Sequence, residues 1–285
     1  MTSPSARGIA FIVVSACAFG AMAIFARLAY ATGANVTGLL AVRFAMAGAI
    51  LAAILVATGR AWPRGRALWV AIGMGAVGYV GQATCFFAAL GHASAGLVAL
   101  LLYAYPTLVV LLSAAFLHER ITALKGVLLA ASFAGLALTL GGGQGTATGI
   151  TLGLAAAAFY SVYIVVGARE LKDVDSLASA TVVCLSAATV MGLAALATDA
   201  RVPGNAYGWA AVAAIALVST VVAMLTFFAG LKLVGPGIAS IVSTLEPVVT
   251  VALAWLILGE RLEPLQLAGG ALVLVSAAWL ARGKA

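Results

Sequence analysis

Residues 86–120 read FFAALGHASAGLVALLLYAYPTLVVLLSAAFLHER, and residues 227–261 read FFAGLKLVGPGIASIVSTLEPVVTVALAWLILGER. The second stretch repeats the first at a distance of 141 positions without a gap, so that Pro106 falls on Pro247 and Glu119-Arg120 falls on Glu260-Arg261. We call two residues related by this shift repeat mates. The pattern predicts an internal duplication, with a first repeat at 1–141, a linker at 142–148 and a second repeat at 149–285.

Composition places this duplication in a membrane. Hydrophobic residues make up 65% of the chain and charged residues only 8%, whereas a soluble domain carries about 25% charged residues. A hydrocarbon core about 30 Å thick is crossed by about 20 apolar residues in a helix. Ten such stretches are predicted, at 8–30, 36–58, 67–90, 95–117, 122–141, 149–168, 176–198, 208–231, 237–258 and 263–281. The predicted fold class is an all-α polytopic membrane protein, because backbone groups in lipid must be satisfied internally and these runs are too long for barrel strands.

The distribution of charge predicts the orientation. If the N-terminus is cytoplasmic, 11 of the 15 Lys and Arg residues lie in cytoplasmic segments, which is the positive-inside bias. Both termini are therefore predicted to be cytoplasmic in a multi-pass protein of the plasma membrane, the inner membrane of a bacterium. The five tryptophans fall at predicted span ends, as interfacial anchors do. The net charge of +7 is explained by this bias, so nucleic acid is not expected as a partner.

Five spans per repeat is an odd number, so the second repeat must enter the membrane from the opposite side. Two inverted repeats are typical of secondary transporters, in which the substrate site lies near the midplane at the repeat interface. A duplicated membrane scaffold without transport activity is the alternative from a different class. It predicts apolar packing throughout and Glu246 bound to Arg43.

Prolines in mid-span mark the predicted site. Pro106 in the fourth span and Pro247 in the ninth are repeat mates. A proline inside a helix cannot donate to the carbonyl four residues earlier, which frees the carbonyls of Leu102 and Ser243. Kinks at matching depth in both repeats predict hinges beside a binding site.

Polar and aromatic residues near these kinks are the candidate site. Glu246 is the acidic residue near the middle of a span, where a carboxylate is costly and functional by default. It is expected to bind a substrate ammonium, to carry a proton, or to pair with Arg43. The candidate cavity residues are Phe19, Gly20, Tyr79, Gln82, Phe86, Tyr103, Tyr160, Tyr163, Phe227, Ser243, Thr244 and Glu246. The repeat mates Tyr103 and Thr244, like Tyr105 and Glu246, differ in chemistry, as a site for an asymmetric small molecule requires.

No cofactor or metal is expected. The run Gly73-Met-Gly75-Ala-Val-Gly78 matches a dinucleotide motif but lies inside an apolar span with no strand before it, so close helix packing explains it better. Gly141–Gly145 has no Lys-Ser/Thr ending and is predicted to be the outer linker. Cys17, Cys85 and Cys184 lie inside spans and are expected to be small core residues. His118-Glu119-Arg120 and Gly259-Glu260-Arg261 are predicted to be capping charges at span ends.

These residues resemble the drug/metabolite transporter superfamily, in particular its EamA-type members. The resemblance rests on Leu245–Val249 followed by Leu258–Leu262, on their degenerate copy in the first repeat, on Arg43-Phe44 and on Phe25-Ala26-Arg27. It implies an exporter of amino acids, other metabolites or toxic compounds, and not an enzyme.

The residues themselves help to choose a substrate. A phosphate would require several Lys or Arg residues in the cavity, and only Arg27 and Arg43 are available. We therefore expect export of amino acids, aromatic or bulky and apolar, by a protein that works as a monomer in the bilayer. The alternative within transport is a multidrug or organic-cation exporter, since Glu246 with aromatic walls suits a delocalised cation.

Overall fold

The computed structural model describes residues 4–117, 122–141 and 145–280, and its regular elements there are helices. Nine of these helices are long and apolar enough to cross a membrane, and a tenth apolar helix of 17 residues follows. We number them spans 1 to 10: Ala6–Tyr30, Val36–Ala57, Gly65–Ala89, Ala95–Phe116, Ala123–Gly141, Ala147–Glu170, Ser176–Ala197, Ala206–Gly235, Ile238–Leu258 and Pro264–Leu280. The predicted bounds are confirmed to within two residues, except that span 8 continues past residue 231 to Gly235.

Short polar side chains begin five of the spans. Each accepts a hydrogen bond from a backbone N–H of the first turn, which satisfies a donor that has no partner inside the helix. These caps are Asn35, Ser94, Thr146, Asp175 and Asn205. Because Thr146 caps a helix that starts at Ala147, the last two residues of the predicted linker are helical.

Several spans are interrupted. Span 4 consists of Ala95–Leu102 and Tyr105–Leu117, and span 9 breaks at Thr244. Pro106 and Pro247 each take the second or third position of the helix that follows the break, where a missing N–H costs little. Span 1 breaks at Ala21. Spans 3 and 8 contain π-helical segments at Met74–Tyr79 and Leu217–Val222, which the sequence did not predict.

The packing of spans follows the duplication. Span 2 packs on span 7, span 4 on span 9 and span 5 on span 10, so each pairs with its own repeat mate. Span 1 packs on span 8, and the mates of these two, spans 6 and 3, also pack together. The 141-residue shift therefore converts the contact of spans 1 and 8 into the contact of spans 6 and 3. Such a relation between the two repeats corresponds to a pseudo-two-fold axis. Because each repeat has five spans, the axis lies in the membrane plane and the repeats are inverted.

Glycine allows the closest of these contacts. A Cβ added to Gly269 in span 10 would meet the backbone nitrogen of Thr139 in span 5 at 2.5 Å. A Cβ on Gly75 would collide with the backbone carbonyl of Val183 in span 7, which confirms close packing for this part of the Gly73–Gly78 motif. Since lipid offers no hydrophobic drive for helix association, such backbone approach is a main source of stability.

The cysteines correct one prediction. Cys184 is fully buried, but Cys85 is only half-buried and Cys17 is exposed, so Cys17 is not a core residue. A lipid-facing position in a membrane helix accepts a small apolar thiol as readily as the core does. The five tryptophans, expected at the interfaces, are all at least 41% exposed.

Candidate functional site

A cavity of about 330 Å³ lies between the two repeats, within the range of small-molecule sites. Seven of the ten spans contribute to its lining. The lining residues are Phe19, Met22, Ala23, Arg43, Tyr79, Gln82, Phe86, Phe87, Ala99, Leu102, Tyr103, Tyr105, Tyr160, Tyr163, Met224, Phe227, Phe228, Ser240, Ser243, Glu246 and Thr250. The paired breaks of spans 4 and 9 open onto it through Tyr103 and Ser243.

Ten of the twelve candidate residues line this cavity, and Gly20 and Thr244 do not. Gly20 faces the backbone of span 9: its carbonyl accepts a hydrogen bond of 2.8 Å from the Thr250 hydroxyl. An added Cβ there would come within 2.7 Å of the Glu246 carbonyl oxygen. The Thr244 hydroxyl donates back to the Ile241 carbonyl at 2.6 Å, because the helix breaks at this residue and leaves that carbonyl within reach.

Tyr103 connects the two broken spans. Its hydroxyl is 2.6 Å from the Ser243 carbonyl, one of the two that the prolines were predicted to free. The same hydroxyl is 3.2 Å from Oε2 of Glu246. The break in span 9 therefore holds the intramembrane carboxylate against a tyrosine of span 4 at the wall of the cavity.

Five tyrosines form one continuous wall. Ring centroids are 5.7 Å apart for Tyr103 and Tyr105, 4.7 Å for Tyr105 and Tyr160, 6.1 Å for Tyr160 and Tyr163, and 6.0 Å for Tyr163 and Tyr79. These separations are those of edge-to-face and offset aromatic pairs. We call this series the tyrosine wall. Phenylalanine and methionine side chains of spans 1, 3 and 8 supply most of the apolar remainder of the lining, and Ala23, Ala99 and Leu102 complete it.

Arg43 lies at the other end of the tyrosine wall from Glu246. Its side chain is only 2% exposed. Nε donates to the Thr220 hydroxyl at 3.1 Å, and Nη2 donates to the Tyr79 hydroxyl at 3.1 Å. The guanidinium carbon also lies 5.0 Å from the centroid of Phe44 and 5.1 Å from that of Phe87. The predicted Arg43–Glu246 ion pair is not formed in the described part of the chain, because hydroxyls and ring faces hold the guanidinium instead.

The partner that sequence reasoning missed is Thr220. It lies in the π-helical segment of span 8, where its hydroxyl donates to the Ile215 carbonyl five residues earlier at 2.9 Å. Thr220 is the repeat mate of Tyr79, so the two hydroxyls that hold Arg43 are related by the 141-residue shift. A comparison of mates along spans 3 and 8, not only around the prolines, would have found it.

One end of the bundle has a polar network. Oε2 of Glu260 accepts the N–H of Ala95 at 2.7 Å, and Oε1 is 3.5 Å from Nη2 of Arg27. Nη1 of Arg27 donates to the Leu90 carbonyl at 2.6 Å. We call these four residues the Glu260 latch; it joins the ends of spans 1, 3 and 9 to the start of span 4. Glu260 thus lies at a span end, as predicted, but it caps the start of span 4 and not its own span, while His118-Glu119-Arg120 lies outside the described residues.

A second cavity, of about 550 Å³, lies between spans 3 and 6. Its lining is apolar apart from Tyr163, which it shares with the central cavity. The central cavity is therefore the candidate site, because it contains charged and hydrogen-bonding groups that orient a ligand. In the described residues no group of His, Cys, Asp and Glu is arranged to hold a metal ion.

An inverted duplication around a central cavity with breaks at matching positions is typical of membrane transporters. The model of the EamA-like transporter family matches the chain twice, at residues 6–141 and 147–282, which begin 141 positions apart. The chain belongs to the EamA-like transporter family and is a membrane transporter.

Two known proteins are similar over most of the chain. "Uncharacterized transporter YcbK" of Bacillus subtilis (strain 168) is 28% identical over 283 residues, covering 93% of this chain and 89% of that protein. A protein crystal structure 24% identical in sequence has a TM-score of 0.68 and covers 98% of both chains. The second likeness shows the fold alone.

Proposed function

We propose that this transporter exports amino acids, chiefly those with aromatic or bulky apolar side chains, by alternating access around the central cavity. The observation that carries the proposal is the composition of the cavity wall: one buried cation, one carboxylate, five tyrosines, and phenylalanine and methionine side chains opposite them. A substrate that suits this wall has both charges and a large apolar part.

The polar groups favour an amino acid over a phosphate ester. Arg43 is the cation that lines the cavity, whereas Arg27 bonds in the Glu260 latch away from it. A phosphate group carries more negative charge than one arginine neutralises. Glu246 is suited to an ammonium, and tyrosine rings attract cations and bury apolar side chains at once.

The paired breaks supply the proposed motion. The interruptions at Tyr103–Ala104 and at Thr244 are at repeat-mate positions, and Tyr103 and Ser243 beside them line the same cavity. A hinge in each repeat beside Pro106 and Pro247 lets the two halves exchange conformations, which opens the cavity to each side in turn. In this proposal the protein works as a monomer in the plasma membrane, with both termini cytoplasmic.

The test is efflux from proteoliposomes that contain the purified protein. Vesicles are loaded with labelled phenylalanine, tyrosine, leucine, glutamate or a sugar phosphate, and release is compared with that from empty liposomes. The proposal predicts release of the first three. A protein that releases none of the amino acids refutes it. Tyr160→Ala, in the tyrosine wall, should slow release, whereas its neighbour Phe159→Ala should not, because Phe159 lines the second cavity and not the central one and is 38% exposed.

A second candidate function, export of organic cations, is favoured by one observation. Glu246 is surrounded by Tyr103 and the adjoining rings of the tyrosine wall, an arrangement that suits a quaternary or delocalised cation. Release of tetraphenylphosphonium without release of amino acids would favour this function. A scaffold without transport activity is the third alternative; it would release neither and is not favoured by a cavity with separate Arg43 and Glu246.

A further inference from the structure

Arg43 is a buried cation without a carboxylate beside it. Its side chain is 2% exposed, and within residues 4–117, 122–141 and 145–280 no acidic group lies within salt-bridge distance of it. Among the described residues, Glu246 is the only carboxylate that lines the same cavity, and it bonds to Tyr103 at the opposite end of the tyrosine wall. Arg43 therefore lines the central cavity, while the carboxylate of Glu246 lies at the other end of the tyrosine wall.

Hydroxyls and rings compensate only part of the cost of this burial. Thr220 and Tyr79 accept two of the five N–H donors of the guanidinium. Three aromatic faces lie within 5.7 Å of its carbon, each a favourable but neutral contact. None of these groups carries a negative charge, and a buried ion is strongly destabilising unless an opposite charge or a metal meets it. The guanidinium therefore has no anionic partner among the described residues.

The duplication places this cation between the two repeats. Arg43 is in span 2, which packs on span 7, and its hydroxyl partners Tyr79 and Thr220 are repeat mates in spans 3 and 8. The repeat mate of Arg43 is Cys184, so the cation is present once and not twice. A ligand bound to Arg43 thereby contacts a group held by both repeats at once.

We infer that Arg43 is the binding subsite for the substrate's anionic group, and that this group is a carboxylate. The planar guanidinium of Arg43 makes two hydrogen bonds and keeps further N–H donors unused. These donors suit the two oxygens of a carboxylate, which an arginine binds in bidentate geometry. This inference rests on the proposed function, since it assigns the acid group of an amino acid to a named residue.

The experiment compares an acid with its amide. Phenylalanine and phenylalaninamide differ in the carboxylate and share the ammonium and the ring. Their inhibition of labelled phenylalanine transport is measured for wild type, Arg43→Gln and Arg43→Lys, with monodispersity in detergent as the check on folding. Wild type is expected to prefer the acid by about 10- to 100-fold, the effect of one charge-assisted pair, and R43Q to lose that preference. R43K keeps the charge without the fork and should retain a reduced preference.

A loss of position is distinguished from a loss of charge by Thr220→Val. This variant removes one hydroxyl that holds Arg43 and leaves the guanidinium in place, so it should weaken phenylalanine binding while the preference for the acid persists. If R43Q does not fold, the test rests on R43K. An R43K variant that prefers phenylalanine over phenylalaninamide as strongly as wild type, or more strongly, overturns the inference. Equal weakening of acid and amide by R43Q overturns it as well, even if amino acids are transported.

Thermal stabilisation separates this inference from the proposed function. Phenylacetate, which has the carboxylate and no ammonium, should raise the melting temperature of wild type and not of R43Q. If amino acids are not transported but phenylacetate stabilises wild type alone, the proposed function fails and the anion subsite stands. If neither transport nor stabilisation is seen, both fail.

Discussion

Glu260→Gln is predicted to open the end of the bundle that the Glu260 latch closes. Glu260 accepts the N–H of Ala95 at the start of span 4 and meets Arg27 at the end of span 1, while it is itself at the end of span 9. Any motion that separates the two repeats at this end must break these bonds. Glutamine keeps an oxygen in the same place and removes only the charge, so the fold should survive.

The magnitude follows from the contacts. A hydrogen bond to a charged acceptor contributes about 1.5–3 kcal/mol, and a neutral acceptor about half as much. The Arg27 contact, at 3.5 Å and with the Arg27 side chain 36% exposed, adds a screened pair of the kind that contributes about 0.2–1 kcal/mol. The variant should therefore lose about 1–2 kcal/mol of preference for the closed end, which changes the ratio of closed to open molecules by about 5- to 30-fold.

The assay is a distance measurement by electron paramagnetic resonance in a background free of native cysteines. Spin labels at His92, between spans 3 and 4, and at Leu265, at the start of span 10, are both on exposed positions of the end in question. E260Q should move population from the short distance to a longer one. Glu263→Gln makes the same chemical change at an exposed site on the same loop, and it should leave the distribution as in wild type.

Two results would refute this reasoning. Identical distance distributions in E260Q and wild type would mean that the latch does not hold the end closed. A shift of equal size in E263Q would mean that loss of charge on the loop, and not the bond to Ala95, is responsible. Arg27→Gln offers a second check, since it should shift the same equilibrium by the smaller amount that its exposure allows.

Three further predictions concern the cavity and the packing. Glu246→Gln should weaken transport of amines and amino acids, and a transport rate unchanged at every pH would remove this carboxylate as a proton carrier. Pro247→Ala gives span 9 a backbone donor for the Ser243 carbonyl, which Tyr103 now occupies at 2.6 Å, so it should straighten the helix and slow transport; an intact rate would argue against the hinge. Gly269→Ala should lower the melting temperature through an overpacking cost of about 1–3 kcal/mol, whereas Gly126→Ala in span 5, with open space around it, should not.

The spans were predictable from the sequence because the bilayer imposes length and apolarity on each helix separately. The breaks in spans 4 and 9 were predictable for a similar reason, since a proline acts on its own helix. Glu246 was predictable because a carboxylate in an apolar span is costly and is therefore a candidate functional group. These are local properties, and each is readable without knowledge of the neighbouring helices.

What the sequence did not predict depends on the relation between helices. Ser240 was not among the predicted cavity residues but lines the cavity, whereas Thr244 was predicted there and instead donates its hydroxyl back to the Ile241 carbonyl. The π-helical segments have no signature of their own in this chain, and Thr220 reads as one hydroxyl among many. The bond from Ala95 to Glu260 joins a backbone group to a residue 165 positions away, which no local pattern encodes.

The duplication indicates that the same latch is not available at the other end of the bundle. The repeat mates of Arg27 and Ala95 are Ala168 and Pro236. Alanine has no cation to offer Glu119, the mate of Glu260, and proline has no N–H to donate. The opposite end therefore cannot form the same bonds, although the two repeats share one fold.

An inverted repeat with equal ends would have no preference between its two conformations. A bond that is available at one end alone lowers the free energy of the conformation in which that end is closed. Divergence between repeat mates thus accounts for the asymmetric cavity, with Arg43 set against Cys184 and Glu246 against Tyr105, and it predicts a resting state in which the latched end is closed.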